Sequence, residues 1–371
     1  MSVTPRTQWE ELWKILKTPV QDLLPDKSVF TYDVGIVGPS KVGKTSLIAA
    51  MYANARTALS STGCSLKPSD PTAMRVDRFM NDIRACLQVG HFDPYSIPPT
   101  QDPFAYDLRL SSSKGKGLLQ FVIVDYPGGL LDPSQRAADA NLTHTWELLE
   151  GKFSESKVLV VPVDATLVME SKTKDQRAAA MEKLQIEQVE RAVRDWAKHR
   201  REKGEPALLL LVPVKCESYF SDNGLTTNLA HELRKKTRDF YNPLVTCLRE
   251  EAETGNDIRV EYHPVDTLGC VQLEHANWEA RSGVETEGPI PLEFRANFMV
   301  RPLRRQELEL HPLGADGLLA SMCRLLARQE DARPGWFGQF WRWVWGDGEQ
   351  LRQAIDALEG LPKGARVKDG F

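Results

Sequence analysis

An eight-residue segment near the start of the chain carries the residue types that bind phosphate groups. Its sequence is Gly38-Pro39-Ser40-Lys41-Val42-Gly43-Lys44-Thr45, which matches the spacing GxxxxGK(S/T) at every fixed position. In such a loop, backbone N–H groups curve around the anion, the lysine contacts the β- and γ-phosphates, and the hydroxyl binds Mg²⁺. Ser46 follows at the start of a helical run, whose N-terminus also favours an anion. The segment predicts a nucleoside phosphate site; the alternative is a tight turn with an incidental lysine and threonine.

The residues around this loop predict a strand before it and a helix after it. A β-branched run, Thr31–Val37, precedes the loop, and the helical run Thr45–Ala55 follows it, as a phosphate-binding loop requires. Further apolar runs predict strands at Phe104–Leu110, Leu118–Val124, Lys157–Val163, Ala207–Val214 and Ile258–Val265. Near-continuous apolar runs are typical of strands buried on both faces. Because helical patterns such as Lys174–Lys203 lie between them, we expect an α/β fold with a mainly parallel sheet and helices on both faces.

A second phosphate-binding pattern begins where the predicted strand Leu118–Val124 ends. The residues Asp125-Tyr126-Pro127-Gly128 form a DxxG motif. In this pattern Asp125 would reach Mg²⁺ through water, and the N–H of Gly128 would contact a γ-phosphate. A polar turn after a strand is the alternative interpretation.

The order of phosphate loop, long segment, DxxG and later loops resembles the Ras-like (TRAFAC-class) P-loop GTPases over about residues 30–330. The resemblance implies a P-loop NTPase fold that binds GTP or GDP with Mg²⁺ as cofactor. In that family a threonine shortly before the second strand closes over Mg²⁺ and the γ-phosphate. Thr100 is the candidate, Thr72 is its rival, and either could be an ordinary loop threonine. The resemblance thus implies Lys44, Thr100 and Gly128 as catalytic residues, and Thr45, Thr100 and Asp125 as Mg²⁺ ligands.

The resemblance is weaker at the loops that would recognise the base. The family has (N/T)KxD after its fifth strand, whereas this chain has Val214-Lys215-Cys216-Glu217. Lys215 matches the lysine that lies along the base plane. Glu217 would accept hydrogen bonds from the guanine N1–H and N2–H groups in place of the aspartate. Val214 cannot make the side-chain hydrogen bond of the Asn or Thr. The last loop, Val265–Gly269, matches only loosely, and Thr267 is its expected nucleotide contact.

The residues expected to assist hydrolysis depart from the family pattern. Gly129 stands where Ras-like enzymes often carry a glutamine that orients the attacking water. Arg75 and Arg136 could supply the positive charge that is worth about 10³–10⁵ in rate, although an exposed surface arginine is the commoner interpretation of each. We therefore expect a GTP-binding switch with slow intrinsic hydrolysis, completed by a partner or by self-association. The narrower resemblance is to bacterial accessory or conflict-system GTPases; the alternatives are an ATP-using P-loop enzyme and a non-hydrolysing nucleotide-binding interaction module.

Composition limits the classes of protein to which the chain can belong. The 371 residues include 47 Lys and Arg against 51 Asp and Glu, a net charge of -4, and the pI is about 6.1. This balance argues against binding to nucleic acid through overall charge. No apolar run is long enough for a transmembrane helix, and the start of the chain lacks a secretory signal. The six cysteines form no CxxC pair, so we expect reduced thiols and a cytoplasmic protein.

Two flanking segments extend beyond the predicted nucleotide-binding domain. We expect an N-terminal amphipathic helix within 1–28, an enlarged P-loop GTPase domain over 29–330 with an irregular insertion at 271–312, and a helical extension over 331–371. That extension contains four tryptophans between Trp336 and Trp345, followed by a short helix with Leu351, Ile355 and Leu358. The tryptophans could pack against the domain, dock a protein partner or lie at a membrane interface. Membrane contact is the least favoured, because the run has only one positive charge, Arg342.

Overall fold

Apolar strands alternate with helices along the chain. The computed structural model describes residues 30–88, 90–94, 97, 103–112, 115, 117–223, 227–253, 258–280, 291–301, 310–331 and 348–360. The strands are β1 Phe30–Ile36, β2 Ser65–Pro68, β3 His91–Phe92, β4 Phe104–Ser111, β5 Gly117–Asp125, β6 Val158–Asp164, β7 Ala207–Val214, β8 Ile258–Tyr262, β9 Val271–Ala280 and β10 Leu292–Val300. The helices are α1 Lys44–Ala58, α2 Asp70–Leu87, α3 Pro133–Ala137, α4 Ala140–Glu155, α5 Ala165–Glu170, α6 Lys174–Lys183, α7 Ile186–Lys203, α8 Ala230–Phe240, α9 Asn242–Glu253, α10 Ala315–Asp331 and α11 Gly348–Gly360.

The main sheet is seven-stranded within the described residues, in the order β2-β4-β5-β1-β6-β7-β8. Strands β5, β1, β6, β7 and β8 are parallel, whereas β4 and β2 extend the sheet antiparallel at one side. Every residue of β6 and β7 is buried, which explains their continuous apolar sequences. The expected α/β fold with a mainly parallel sheet is confirmed. All parallel strands end at the same edge, so the loops that follow them meet there.

The strands predicted from apolar runs are all present, with small shifts at their ends. The largest shift is at Ile258–Val265, where the strand ends at Tyr262. The helix after the phosphate loop runs to Ala58 rather than Ala55. Short β2 and β3 and the long helix α2 were not predicted.

The single helix predicted over Lys174–Lys203 is wrong, because the chain forms two helices there. The break lies at Gln185, whose φ of 48° is in the left-handed region. Met181, near the end of the first of these helices, is 40% exposed. Helix α7 buries Trp196 against the end of α4, where the indole Nε1 donates to the Ser156 carbonyl at 2.7 Å.

The irregular insertion predicted over 271–312 is also wrong, because its described part is ordered as antiparallel strands. Strands β9 and β10 pair along their length, and β3 adds to β10 to complete a small sheet. In β10 the residues Phe294, Ala296, Phe298 and Val300 alternate as buried positions, which is the period of two of a strand. The Gly-, Pro- and Glu-rich composition between the strands masked this alternation. Residues 281–290 and 302–309 lie outside the described part.

The last described helix folds back onto the helix that follows the phosphate loop. Helix α10 packs on α1, and α11 contacts both α10 and α1. Leu351, Ala354 and Leu358 of α11 are buried in the same core, so the helix predicted from the leucines is confirmed. The predicted N-terminal helix and the Trp336–Trp345 cluster lie outside the described residues.

Leu358→Ala tests whether α11 is an integral part of the domain. The side chain is 0% exposed, and removing a buried leucine beyond Cβ costs about 2–4 kcal/mol through lost burial and the cavity left behind. We expect a corresponding loss in the free energy of unfolding, measured by urea denaturation. Gln353→Ala, an exposed change on the same helix, is the control. Equal stabilities of the two variants would mean that α11 does not contribute to the core.

Within the described residues, no helix has both the length and the apolar character needed to cross a membrane. All six cysteines lie in the described part, and no two of them form a disulfide. Five are buried, and Cys86 on α2 is exposed.

Candidate functional site

A cavity of about 610 Å³ lies at the edge where the parallel strands end. It is lined by most of the residues predicted from motifs: Ser40, Lys41, Gly43, Lys44, Thr45, Ser46, Asp125, Gly128, Lys215, Glu217 and Thr267. Gly38, Pro39 and Val42 belong to the same phosphate loop but do not line the cavity. Thr100 lies outside the described residues. The loops after β1, β5, β7 and β8 are therefore brought together around one space.

The lysine of the phosphate loop is buried inside its own loop. Lys44 is 6% exposed, and its Nζ donates to the carbonyls of Gly38 and Pro39 at 3.0 Å each. Burial lowers the pKa of Lys44 to about 8, and the nearby Asp125 carboxylate opposes that shift. The Nζ also lies 4.8 Å from the centre of the Tyr126 ring. A phosphate near this ammonium would favour its charged form.

Thr45 and Asp125 form a compact pair of oxygen ligands. The Thr45 hydroxyl donates to Asp125 Oδ2 at 2.6 Å, and Asp125 is 1% exposed. Burial raises the pKa of Asp125, while Lys44, the hydrogen bond from Thr45 and the charge of Arg75 act against it. Its other oxygen, Oδ1, is buried and has no hydrogen-bond partner among the described residues. A buried carboxylate oxygen with no partner beside a hydroxyl suits Mg²⁺.

Mg²⁺ differs from other metals in how few protein ligands it needs. No group of three or more His, Cys, Asp or Glu side chains that could hold a metal ion occurs among the described residues. Mg²⁺ usually keeps several waters and binds through one or two protein ligands together with substrate phosphates. The pair Thr45 and Asp125 fits that pattern, and it does not fit an all-protein metal cage.

Gly128 lies directly against the backbone of the phosphate loop. A Cβ added at Gly128 would overlap the backbone nitrogen and Cα of Ser40 and the carbonyl carbon of Pro39. The two phosphate motifs are also joined by Tyr126, whose hydroxyl accepts a hydrogen bond from the Gly38 N–H at 3.1 Å. The DxxG glycine is thus required by the close approach of two backbones.

The loop after β7 is anchored to the phosphate loop by its lysine. Lys215 Nζ donates to Asp164 Oδ2 at 2.5 Å and to the Lys41 carbonyl at 3.1 Å, and its backbone has a φ of 60°. Val214 packs against the phosphate loop, since a Cβ added at Gly43 would lie 3.2 Å from Val214 Cγ2. The contact between this loop and the phosphate loop at Val214 is therefore apolar.

Glu217 is held by the loop that follows β8. Its Oε1 accepts from the Leu268 N–H at 2.8 Å and from the Thr267 hydroxyl at 3.2 Å, and its carbonyl accepts from Arg301 at 2.6 Å. Burial raises the pKa of Glu217 to about 7, with Asp266 adding to the rise. The loosely matched loop and the Glu217 carboxyl therefore form one unit at the far end of the cavity.

Helix α2 forms a wall of the cavity that sequence reasoning missed. Its residues Arg75, Arg78, Phe79, Asp82, Ile83 and Cys86 line the space, at the three- and four-residue spacing of one helical face. Phe92 of β3 and Phe298 of β10 continue this wall. The helical spacing was the signal available; the second sheet could not be placed here without the structure.

The two candidate arginines have different surroundings. Arg75 lines the cavity and lowers the pKa of Asp125, and its guanidinium lies 5.7 Å from the Phe104 ring centre. Arg136 donates to the carbonyls of Leu130 and Leu131 at 2.6 and 3.2 Å and stacks on Trp146. Both arginines are half-buried: Arg75 lines the cavity, and Arg136 contacts the turn after Gly128.

The rival threonine, Thr72, has a structural role at the start of α2. Its hydroxyl accepts from the Asp107 N–H at 2.9 Å and from the Ser69 hydroxyl at 3.0 Å. It is 0% exposed and does not line the cavity. The Thr72 hydroxyl therefore faces Asp107 and Ser69 and not the cavity in this structure.

Comparisons with known proteins add little to this geometry. No protein-family model matches the sequence, and no curated protein matches it. Among solved structures, the chain aligns with a mutational variant of SsGBP at 13% identity and a TM-score of 0.26, covering 72% of this chain and 58% of that chain. A TM-score this low indicates neither fold nor function. The fold and the cavity themselves define an α/β protein with a mostly parallel sheet and a candidate ligand site at its carboxyl edge.

Proposed function

We propose that this protein is a GTP-binding molecular switch that hydrolyses GTP slowly with the help of Mg²⁺. The observation that carries the proposal is the convergence of the phosphate loop, the DxxG segment and the base-recognition residues on one cavity. These motifs are far apart in the sequence; the parallel strands bring their loops to one edge of the sheet, and there each loop lines the cavity with a residue type that a nucleotide site needs. The strand order, with β1 in the middle of the sheet, is compatible with a P-loop NTPase fold.

The phosphate end of the cavity has the groups that phosphoryl transfer needs. Lys44 would contact the β- and γ-phosphates, and Thr45 with Asp125 would hold Mg²⁺, which neutralises charge on the phosphate oxygens. Arg75, in the same cavity, supplies a further positive charge from within the chain. Because Gly129 has no side chain to orient water, we expect slow hydrolysis.

The end of the cavity that contains Lys215 and Glu217 favours binding of guanine over adenine. Guanine presents hydrogen-bond donors at N1 and N2, which a carboxylate such as Glu217 accepts. Adenine presents an acceptor at N1, which would face the same carboxylate unfavourably. Lys215, which donates to Asp164 and to the phosphate loop, would lie along the base.

Identification of the nucleotide that copurifies with the protein tests the proposal. We expect GDP or GTP in the extract, tighter binding of GDP than of ADP in a titration, and a loss of that preference in Glu217→Ala. Tighter binding of ADP would instead favour an ATP-using P-loop enzyme. Nucleotide that stays intact over many hours with Mg²⁺ would favour a non-hydrolysing interaction module.

GDP affinity is expected to rise with pH if Glu217 accepts hydrogen bonds from the guanine N1–H and N2–H groups. The ionised carboxylate is the better acceptor, and with a pKa of about 7 its ionised fraction increases about tenfold from about pH 6 to about pH 8. The affinity rises, and does not fall, with pH because the Glu217 carboxyl is protonated below its pKa and then offers guanine a poorer hydrogen-bond acceptor. Titration calorimetry over this range should show the rise in wild type.

Glu217→Gln is the matched variant for the pH dependence. It keeps a carbonyl acceptor but cannot titrate, so subtracting its profile removes the contributions of Lys44 and of the nucleotide phosphates. Identical pH profiles for wild type and Glu217→Gln would contradict a role for this carboxyl in base recognition.

Switching would arise in the segments that face the γ-phosphate. Gly128 lies against the phosphate loop, so a γ-phosphate contact there would be transmitted directly to the DxxG segment. Thr100 remains the predicted second contact. The Trp336–Trp345 segment remains the predicted docking site for a protein partner, and it connects two helices, α10 and α11, that contact each other and α1.

A further inference from the structure

Helix α2 passes along the cavity from the phosphate loop side to the loop that would hold the base. Near the start of its cavity face lies Arg75, whose charge acts against the raised pKa of Asp125. Two helical turns later, Ile83 lines the cavity and belongs to the same buried core as Leu268. The Leu268 N–H donates to the Glu217 carboxylate at 2.8 Å. One face of α2 therefore connects the candidate Mg²⁺ site with the candidate base site.

Asp82 is a carboxylate on this face of α2 to which neither site assigns a role. It is exposed, lines the cavity, and makes no hydrogen bond or ion pair with the described residues. It follows Arg75 by two turns, about 10 Å along a helix, and directly precedes Ile83. The carboxylates that line the described cavity are Asp82, Asp125 and Glu217. The last two have Mg²⁺ and the base as proposed partners, so Asp82 is left without one.

A carboxylate in a nucleotide site needs a partner that donates hydrogen bonds. The phosphate oxygens carry negative charge and would repel Asp82. Apart from the N–H groups of the base, the donors of a nucleotide are the 2′- and 3′-hydroxyls of the ribose. These hydroxyls lie between the phosphates and the base, and Asp82 lies between the corresponding ends of the α2 face. A hydroxyl that donates to a carboxylate forms a charge-assisted hydrogen bond.

We propose that Asp82 binds the ribose hydroxyls of the nucleotide and makes the site selective for ribonucleotides over deoxyribonucleotides. The inference rests on the proposed function and deepens it by naming the substrate class that the site accepts. A deoxynucleotide would bring its phosphates near Asp82 without the hydrogen bond that offsets the charge repulsion. Because Asp82 contacts the sugar, this selectivity is independent of the base contact made by Glu217.

Titration with GDP, 2′-deoxy-GDP and 3′-deoxy-GDP, each with Mg²⁺, tests the proposal by calorimetry. We expect wild type to bind GDP about tenfold tighter than at least one of the two deoxynucleotides. In Asp82→Ala the three affinities should be equal, because the group that distinguishes the sugars is gone. Asp82→Asn keeps a neutral acceptor and should keep part of the preference.

Asp77→Ala is the matched control for the charge of Asp82. Asp77 is an exposed acidic residue of the same helix that does not line the cavity. Its removal changes the net charge of α2 by the same amount and should leave the preference for GDP at the wild-type value. If Asp82→Ala shifts the affinities for all three nucleotides by one common factor, Asp82 acts only through its charge and the proposal is wrong.

The titrations separate failure of this inference from failure of the proposed function. Equal affinities of wild type for the three nucleotides would overturn the sugar contact and leave the GTP-binding switch standing. A wild-type preference that persists unchanged in Asp82→Ala would have the same consequence. A wild-type protein that binds no guanine nucleotide would overturn both.

Discussion

Replacing Lys44 with alanine is expected to lower the affinity for GTP and GDP by at least about 100-fold. The buried ammonium is the group in the phosphate loop that would pair directly with the β- and γ-phosphates. Each charge-assisted hydrogen bond is worth about 1.5–3 kcal/mol, and alanine cannot replace it. Isothermal titration with GDP, in the presence of Mg²⁺, measures the loss.

The Lys44 result is informative only if the variant remains folded. Lys44 Nζ also holds the carbonyls of Gly38 and Pro39, so circular dichroism and a melting curve should accompany the titration. Arg56→Ala removes an exposed positive charge from the same helix and should leave the affinity unchanged. A folded Lys44→Ala protein that binds GDP like wild type would contradict the nucleotide site.

Replacing Gly128 with alanine is expected to abolish most GTP hydrolysis and to lower GTP affinity by at least about tenfold. The added methyl group would overlap the backbone of Ser40 and Pro39, and a backbone cannot move aside as the end of a flexible side chain can. The phosphate loop and the DxxG segment must therefore separate. GTP should lose more affinity than GDP, since Gly128 would contact only the γ-phosphate. Parallel titrations with GDP and a non-hydrolysable GTP analogue measure this difference.

Gly151→Ala is the matched control for Gly128→Ala. Gly151 lies in α4, and a Cβ there meets nothing within 4 Å. Because alanine is the better helix former, this control should gain about 0.5–1 kcal/mol of stability and keep wild-type nucleotide binding. If Gly128→Ala behaves like Gly151→Ala, the close approach to the phosphate loop has no role in the function.

The local parts of the site could be predicted because their signals are contiguous. The phosphate loop needs a strand, a turn and a helix in immediate succession, and all three are encoded between Thr31 and Ala55. The DxxG segment likewise follows a strand whose last four residues before Asp125, Phe121–Val124, are all apolar. These predictions needed only that parallel strands end at one edge, which brought Lys44, Asp125 and Lys215 together.

Other parts of the site depend on contacts between distant segments, and sequence patterns could not supply them. Helix α2 lies in the long segment that was predicted only to contain Thr72 or Thr100, yet its face carries Arg75 into the cavity. The edge of the small sheet also depends on such a contact, because β10 pairs with β3, about 200 residues earlier in the chain. A pairing over such a distance leaves no local pattern.

The sequence by itself determined the α/β class, the phosphate loop and the positions of the main strands, because each depends on neighbouring residues and a short period. Only the tertiary structure decided which side chains share the cavity. It placed Arg75 and Asp82 inside and Thr72 outside. The physical reason is that a helix or strand obeys local backbone geometry, whereas the assignment of a side chain to a site depends on how remote elements pack.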